Sequence, residues 1–356
     1  MREALVRPTP AGLWCEAGGF YLDPWQPVER AVLTHAHADH ARPGSGAYLA
    51  TPASLPVLRR RLGEDARLDA LDYGQVRRIG DVDVSMHPAG HVLGSAQVRI
   101  AHKGEVWVIS GDYKRAPDPT CPPFEPVRCD TFVTEATFGL PIYRWQPPGE
   151  VAAEVLAWWD AARAAGRPAV LFAYALGKSQ RLLAELARLT DRAVYVHGAV
   201  DTIVAIYRDA GIPMLPTVRV SDAPAGHRFA GDLVIAPPGA GGSPWMKRFP
   251  GAETAMASGW MRIRGAKRRQ SVDRGFVLSD HADWPALLQS IDESGAERIY
   301  VTHGTTEPLV RWLVEGGRDA RVLPTAWEGE ADIVPTGPAE GAGPEGGGNA
   351  PTEEGA

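Results

Sequence analysis

Residues 34–44 read THAHADHARPG, and they constrain this chain more than any other segment. His35, His37, Asp39 and His40 follow directly on the apolar run AVLT. All four are types that bind divalent ions, His through an imidazole nitrogen and Asp through oxygen. Their spacing suits a loop that leaves a strand and enters a helix. Such a loop can aim His35 and His37 at one ion, and Asp39 and His40 at a second. The plain alternative is a polar surface loop. Three histidines within six residues argue against it.

Two ions need more ligands than these four. The chain holds ten histidines, several at the ends of apolar runs followed by glycine. His91 lies in HPAGHVLGS, Asp112 in VWVISGDYK and His303 in RIYVTHGTTE. His35, His37, His91 and Asp112 would complete one four-coordinate site. Asp39, His40 and His303 with Asp112 would complete the other. Asp112 would bridge, since a carboxylate can hold two ions about 3.5–4 Å apart.

The organisation around these residues is that of an α/β protein. The first 140 residues read as short β segments with turn punctuation, among them GFYLD, RAVLT and CDTFVTE. AQVRIA and EVWVIS flank HKG and predict a hairpin. From about residue 149 helical spacing appears and then alternates with buried strands, which implies a parallel α/β unit. Residues 336–356 hold ten Gly or Pro and four Glu, and predict a disordered tail. That tail carries −4 of the net charge of −6, leaving −2 for residues 1–335.

Several classes are excluded. No run approaches the roughly 18 apolar residues of a membrane span. The N-terminal residues lack the apolar core of a secretory signal. Cys15, Cys121 and Cys129 are three, without C-x-x-C spacing, so neither a disulfide framework nor a cysteine zinc site follows. The expectation is a cytoplasmic protein.

HAHADH, GHVLGSA, SGDY and VTHG together resemble the metallo-β-lactamase fold. The resemblance implies an αββα four-layer sandwich that binds two divalent ions, with a bridging hydroxide as nucleophile. GGFYLDP resembles that fold's early strand, so Asp23 corresponds to the aspartate that supports the ligands from behind. FVTEATFG, VLSDHADW and YVTHG resemble the three motifs of the β-CASP nuclease branch, at Glu135, His281 and His303. The resemblance places an inserted β-CASP α/β domain at 149–265, between metallo-β-lactamase parts at 1–148 and 266–335. Within the branch, HAHADHARPG, PAGHVLGSAQ, GDYKR and TEATFGLPIY are most similar to the bacterial ligase-associated DNA exonucleases.

That group implies a DNA exonuclease acting in repair from a 5′ end. It also implies a functional link to a DNA ligase and often a helicase, and a place at the bacterial nucleoid. Histidine at the third motif also occurs in RNA-processing members, whereas the cross-link-repair DNA nucleases usually carry Val there. A β-CASP ribonuclease is therefore the alternative, and a non-catalytic scaffold a third reading that the intact ligand set opposes. The ligands suit Zn²⁺, and Mn²⁺ fits similar sets; family likeness favours Mn²⁺.

The leaving alkoxide of a phosphodiester benefits from a positioned acid. Glu135 beside His281 would keep the imidazole protonated, giving His281 as general acid and Glu135 as its orienter. Lys178 and Ser179 follow a glycine and open a helix, as a phosphate site would. A solvated lysine followed by an N-cap serine is the equal alternative. Arg262, Arg264, Lys267 and Arg268 lie in MRIRGAKRRQ, either a backbone-binding rim or a solvated face. Arg59, Arg60 and Arg61 are expected to form a solvated helix face.

Overall fold

The computed structural model describes residues 4–147, 149–263 and 272–327. Arg264, Lys267 and Arg268 of the basic run, and the tail at 336–356, lie outside the described residues.

The chain begins with a six-stranded sheet in sequential order, β1–β6 (Arg7–Pro8, Leu13–Cys15, Phe20–Leu22, Arg30–Val32, Ala47–Ala50 and Leu68–Ala70). Helix α1 (Leu55–Leu62) crosses over between the last two strands. A second sheet follows with β7–β11 (Val76–Ile79, Val82–Pro88, Ala96–His102, Glu105–Ile109 and Thr131–Ala136). The predicted hairpin is β9–β10, antiparallel, with His102 paired to Glu105. Its two turn residues, Lys103 and Gly104, both have positive φ, as a tight turn matched to strand twist requires.

The chain then builds a separate parallel sheet. Its elements are α2 (Glu150–Ala164), β12 (Ala169–Phe172), α3 (Lys178–Leu186), β13 (Val194–Val196), α4 (Gly198–Asp209), β14 (Thr217–Arg219), β15 (Leu233–Ala236), β16 (Glu253–Ala257) and β17 (Arg274–Phe276). The strand order is β14-β13-β15-β12-β16-β17, and every pairing is parallel. The last of these strands, Arg274–Phe276, follows the expected boundary at 265, yet it is hydrogen-bonded to β16. Helix α5 (Trp284–Ser294), β18 (Arg298–Gly304), α6 (Thr306–Glu315) and β19 (Asp319–Val322) return the chain to the second sheet, beside β11.

Burial explains the layering. Leu13, Phe20 and Leu22 of the first sheet share one core with Val84, Val98 and Ile109 of the second. The second sheet's other face packs Val108, Phe132 and Val301 against Leu287, Ile291 and Leu309 of α5 and α6. The first sheet's other face packs Tyr48 and Ala50 against Val57 and Leu58 of α1. Each such side chain removed from water contributes about 1.5–3 kcal/mol. Ile203 and Tyr207 of α4 join that last core, and the Tyr207 hydroxyl accepts the Leu93 amide at 3.1 Å. The third sheet is thereby locked onto the first. Among the described residues, no helix is long and apolar enough to cross a membrane.

Candidate metal centre

The parallel strands β3, β4, β10, β11 and β18 end at one edge, where open α/β sheets bind ligands. The 35–40 segment leaves β4 there. It enters a single turn, not the helix expected from its spacing: the Ala41 amide donates to the His37 carbonyl at 2.9 Å. Pro43 and Gly44, with φ of 99°, then end the turn before a helix can propagate.

His35, His37, His91 and Asp112 offer ligand atoms that all lie within 4.8 Å of one another, and all four are buried. Asp112 Oδ2 is 3.5 Å from His35 Nε2, 3.7 Å from His40 Nε2 and 3.8 Å from His91 Nε2. Asp39 Oδ2 lies 3.7 Å from the same His40 nitrogen. The His303 ring is 5.9 Å from the His40 ring. Among the described residues, none gives a hydrogen bond to the buried atoms His35 Nε2, His40 Nε2, Asp112 Oδ1 and His303 Nδ1. Each such group costs about 1–3 kcal/mol if nothing else meets it. These nitrogen and carboxylate atoms are a donor set suited to divalent ions.

The electrostatics point the same way. Burial and the surrounding imidazoles hold His35 well below the usual histidine range, so it is the neutral form a metal needs. Burial opposes a charge on His40, but Asp39, Asp112 and Asp23 outweigh it and raise its imidazole. A divalent cation would neutralise that surplus of buried negative charge.

Glu135 and His281 stand beside this cluster. Glu135 pairs with Thr302 across β11 and β18, whereas Ala136 pairs with Gly304, so His303 is the extra residue of a β-bulge. The bulge puts His303 at φ 56° and frees it from the ladder. Glu135 accepts the Tyr113 amide at 2.7 Å and the Thr137 hydroxyl, and lies 3.0 Å from His281 Nδ1. Burial resists the carboxylate's charge, but His281 and these two donors hold Glu135 below the usual carboxylate range. His281 Nδ1 is also 3.9 Å from Asp112 Oδ2. His281 is placed by the start of α5. Asp283 caps that helix through the Ala286 amide and also accepts the Trp145 amide. The Trp145 indole donates to the His281 carbonyl at 2.8 Å.

No family model matches the chain. Over 312 residues, 87% of its length, it is 32% identical to a protein of Opitutus terrae named a probable DNA ligase, of which the match covers 30%. Over 223 residues, 54% of its length, it is 29% identical to a ribonuclease of Thermus thermophilus, of which the match covers 48%. The chain is in this way similar to β-CASP nucleases of the metallo-β-lactamase fold. It spans between about a third and a half of the length of those two relatives. A crystal structure of a protein of unknown function from Enterococcus faecalis shares the fold at a TM-score of 0.57 and 12% identity, over 84% of this chain and 80% of that one. The likeness to a ligase-named protein fits the ligase-associated group of the β-CASP branch.

Behind the histidine–aspartate cluster, Asp23 is fully buried at φ 39°, a conformation worth about 1–3 kcal/mol of strain in a non-glycine residue. It accepts the Thr34 amide at 2.7 Å and the Thr34 hydroxyl at 2.6 Å, and holds His40 Nδ1 at 2.8 Å. This fixes His40 with Nε2 toward Asp112. The His91 Nδ1 is held in the same way by the Asp280 carbonyl at 2.8 Å.

Three residues at this site carry no motif signal of their own. Trp327 stacks on the His40 ring at 4.7 Å and donates to the Asp23 carbonyl. Arg61 donates from Nε to the Ala36 carbonyl at 2.7 Å, inside the ligand loop. It is therefore not part of a solvated face, although Arg60 is exposed. Asp280, next to His281 in VLSDHADW, pairs with Lys178.

That pairing recasts the expected phosphate residues. Lys178 is buried, ion-paired with Asp280 and lies 4.8 Å over the Tyr174 ring, while still lining a cleft of about 240 Å³ with His281 and His303. Ser179 is fully buried, and its hydroxyl donates to the Tyr174 carbonyl at 2.7 Å. It does not act as an N-cap either, because Gly177 holds that position. Arg262 is exposed and donates to the Ile142 carbonyl at 3.3 Å. Of the remaining histidines, His87 pairs with Glu125, His102 with the Asp81 carbonyl and His227 with Asp232, and His197 caps α4.

Proposed function

We propose that this chain is a hydrolase of nucleic-acid phosphodiester bonds, a metal-dependent DNA exonuclease acting in repair alongside a DNA ligase. The observation that carries it is the convergence of two devices on Asp112. Asp112 Oδ2 lies 3.5–3.8 Å from His35, His40 and His91, and 3.9 Å from the His281 ring that Glu135 holds. Small-molecule hydrolysis does not need such a pair, whereas an alkoxide leaving group benefits from one.

His35, His37, His91 and Asp112 would hold one ion, and Asp39, His40 and His303 with Asp112 the second, as Mn²⁺ or Zn²⁺. Bound there, the ions would supply water activation and neutralise charge on the phosphate. The protein supplies the rest. His281 donates a proton from Nε2 to the departing oxygen. Glu135 fixes the ring through Nδ1 and favours the imidazolium. Asp23 and the Asp280 carbonyl keep the ligand histidines in one tautomer. On this reading the two stacked sheets with outer helices correspond to an αββα sandwich, and the parallel sheet after residue 149 to an inserted β-CASP unit.

A ribonuclease is the second reading, favoured by the likeness to a ribonuclease and by His303 at the third motif. Incubating metal-loaded protein with matched DNA and RNA strands, labelled at either end, separates the two. Mononucleotide release from DNA with a 5′-to-3′ preference is expected. Cleavage of RNA alone overturns the DNA assignment, and no cleavage of either strand overturns the function. The compartment that fits is the cytoplasm, at the nucleoid, with a helicase as a further functional partner.

A further inference from the structure

Seven large apolar side chains are exposed among the described residues, and Trp260 is the one that lines the cleft of His281 and His303. It is 42% exposed, a cost that a side chain of this size carries with no return from core packing. The indole is nevertheless held in place. Ser258, itself buried, caps the short turn 259–262 by accepting the Trp260 amide at 3.3 Å. Gly259 lies so close to Phe138 that a Cβ there would fall 2.4 Å from the ring. That approach sets the Trp260 ring 4.8 Å from Phe138 and 5.9 Å, edge-on, from Tyr143. Phe138 in turn lies 5.9 Å from the His281 ring. Two ring contacts therefore link the exposed indole to the proposed acid. Arg262, exposed two residues on, adds a cation beside it.

A fixed, solvent-facing indole with a neighbouring cation, at the mouth of a site built for a phosphodiester, has a specific chemical complement. We infer that Trp260 is a stacking platform for a nucleobase of the strand being cut, next to the scissile phosphate, with Arg262 on an adjoining backbone phosphate. This deepens the phosphodiesterase reading and rests on it. A base can lie on the indole only when it is out of the duplex stack, so the site takes an unpaired strand end. Every base has a π-face, so the platform tolerates sequence.

The test separates binding from cleavage. Single strands carrying one abasic residue at successive positions are titrated against the protein by fluorescence polarisation, in EDTA so that no strand is cut. One position is expected to weaken binding by about 5- to 100-fold, the range of one lost base stack. In Trp260→Ala that position should lose its penalty, while Trp260→Phe retains part of it; near-UV circular dichroism checks that both variants are folded. A wild-type profile with no sensitive position, or one unchanged in Trp260→Ala, overturns the platform. Failure of the wild type to bind any strand overturns the platform, while cleavage of the same strands with Mn²⁺ or Zn²⁺ would leave the phosphodiesterase reading standing. Failure to cleave with Mn²⁺ or Zn²⁺, while the sensitive position persists in binding, overturns the nuclease reading alone.

Discussion

Nδ1 of His281 lies 3.0 Å from Oε2 of Glu135, across 146 positions of sequence. The carboxylate also takes the Tyr113 amide and the Thr137 hydroxyl, so it cannot swing away from the ring. His281→Ala is expected to lower kcat by about 10²- to 10⁴-fold, the usual share of a positioned acid. Bound metal should stay at the wild-type level. Glu135→Gln should lower kcat less and move the basic limb of the pH–rate profile to lower pH, because the imidazolium loses its counter-charge. Near-normal turnover of His281→Ala at full metal occupancy would remove it from the mechanism.

Metal binding should be visible without any substrate. Two equivalents of Mn²⁺ or Zn²⁺ per chain are expected by elemental analysis. A ligand that binds only the folded chain raises Tm with its concentration. Asp112→Asn, which touches both expected sites, should lower the stoichiometry and flatten that rise. His303→Ala should spare the His35, His37, His91 and Asp112 set and keep at least one equivalent. A chelator should reverse the gain in Tm in the wild type.

Arg61 offers a sharper test because it acts on the site through the backbone of the ligand loop and the charge it sets beside Asp39. Its guanidinium holds the Ala36 carbonyl between His35 and His37. Arg61→Ala should weaken metal affinity by about 10- to 100-fold, as losses of supporting partners do. The exposed neighbour gives the control: Arg60→Ala should leave affinity unchanged. Equal titration curves for the two variants would show that the loop keeps its shape without Arg61.

A buried ionic network ties α3 to the loop after β10. Lys114 Nζ is 3.2 Å from Asp118, whose carboxylate is 3.5 Å from Arg181; Arg181 also bonds Glu185 and the Ser279 carbonyl. Burial works against the charge on Asp118, but Lys114 and Arg181 hold it below the usual carboxylate range. Its folded pKa is thus lower than its unfolded one. The stability it contributes is present above the unfolded value of about 3.9 and is lost as pH falls through the folded one. Lys114 is also lowered, by burial and by Arg181, but that shift lies on the alkaline side and leaves the acid window alone. Asp118→Asn should cost about 3–5 kcal/mol at pH 7 in urea unfolding, since it strands buried cations. The gap to wild type should shrink as pH falls toward 3. A gap that widens on acidification would contradict the assignment.

The ligand cluster was open to reading in the sequence because its residues are chemically rare and locally dense. His35, His37, Asp39 and His40 announce themselves within six positions, and His91, Asp112 and His303 each end an apolar run. The turn that follows His37 was not, because spacing cannot separate one turn from a helix until Pro43 is weighed. The supporting residues were harder still. Arg61 sits in a run of three arginines, and nothing in the letters says which one burial selects. Trp327 is a lone aromatic whose role depends on a carbonyl at residue 23. For Lys178 the sequence leaves a phosphate site and a solvated lysine equally open, because Asp280, its partner, lies 102 positions away.

The Trp327 contact also has a temporal meaning. The indole closes over Asp23 and His40, residues made some three hundred positions earlier. A chain emerging from the ribosome therefore carries the ligand-rich segment HAHADH long before it can carry a finished centre. His303 and Trp327 follow more than 260 positions after HAHADH, and until they are made the cluster lacks one wall. A chain stopped before residue 303 lacks a proposed ligand, and one stopped before Trp327 leaves the His40 ring without its stacking partner.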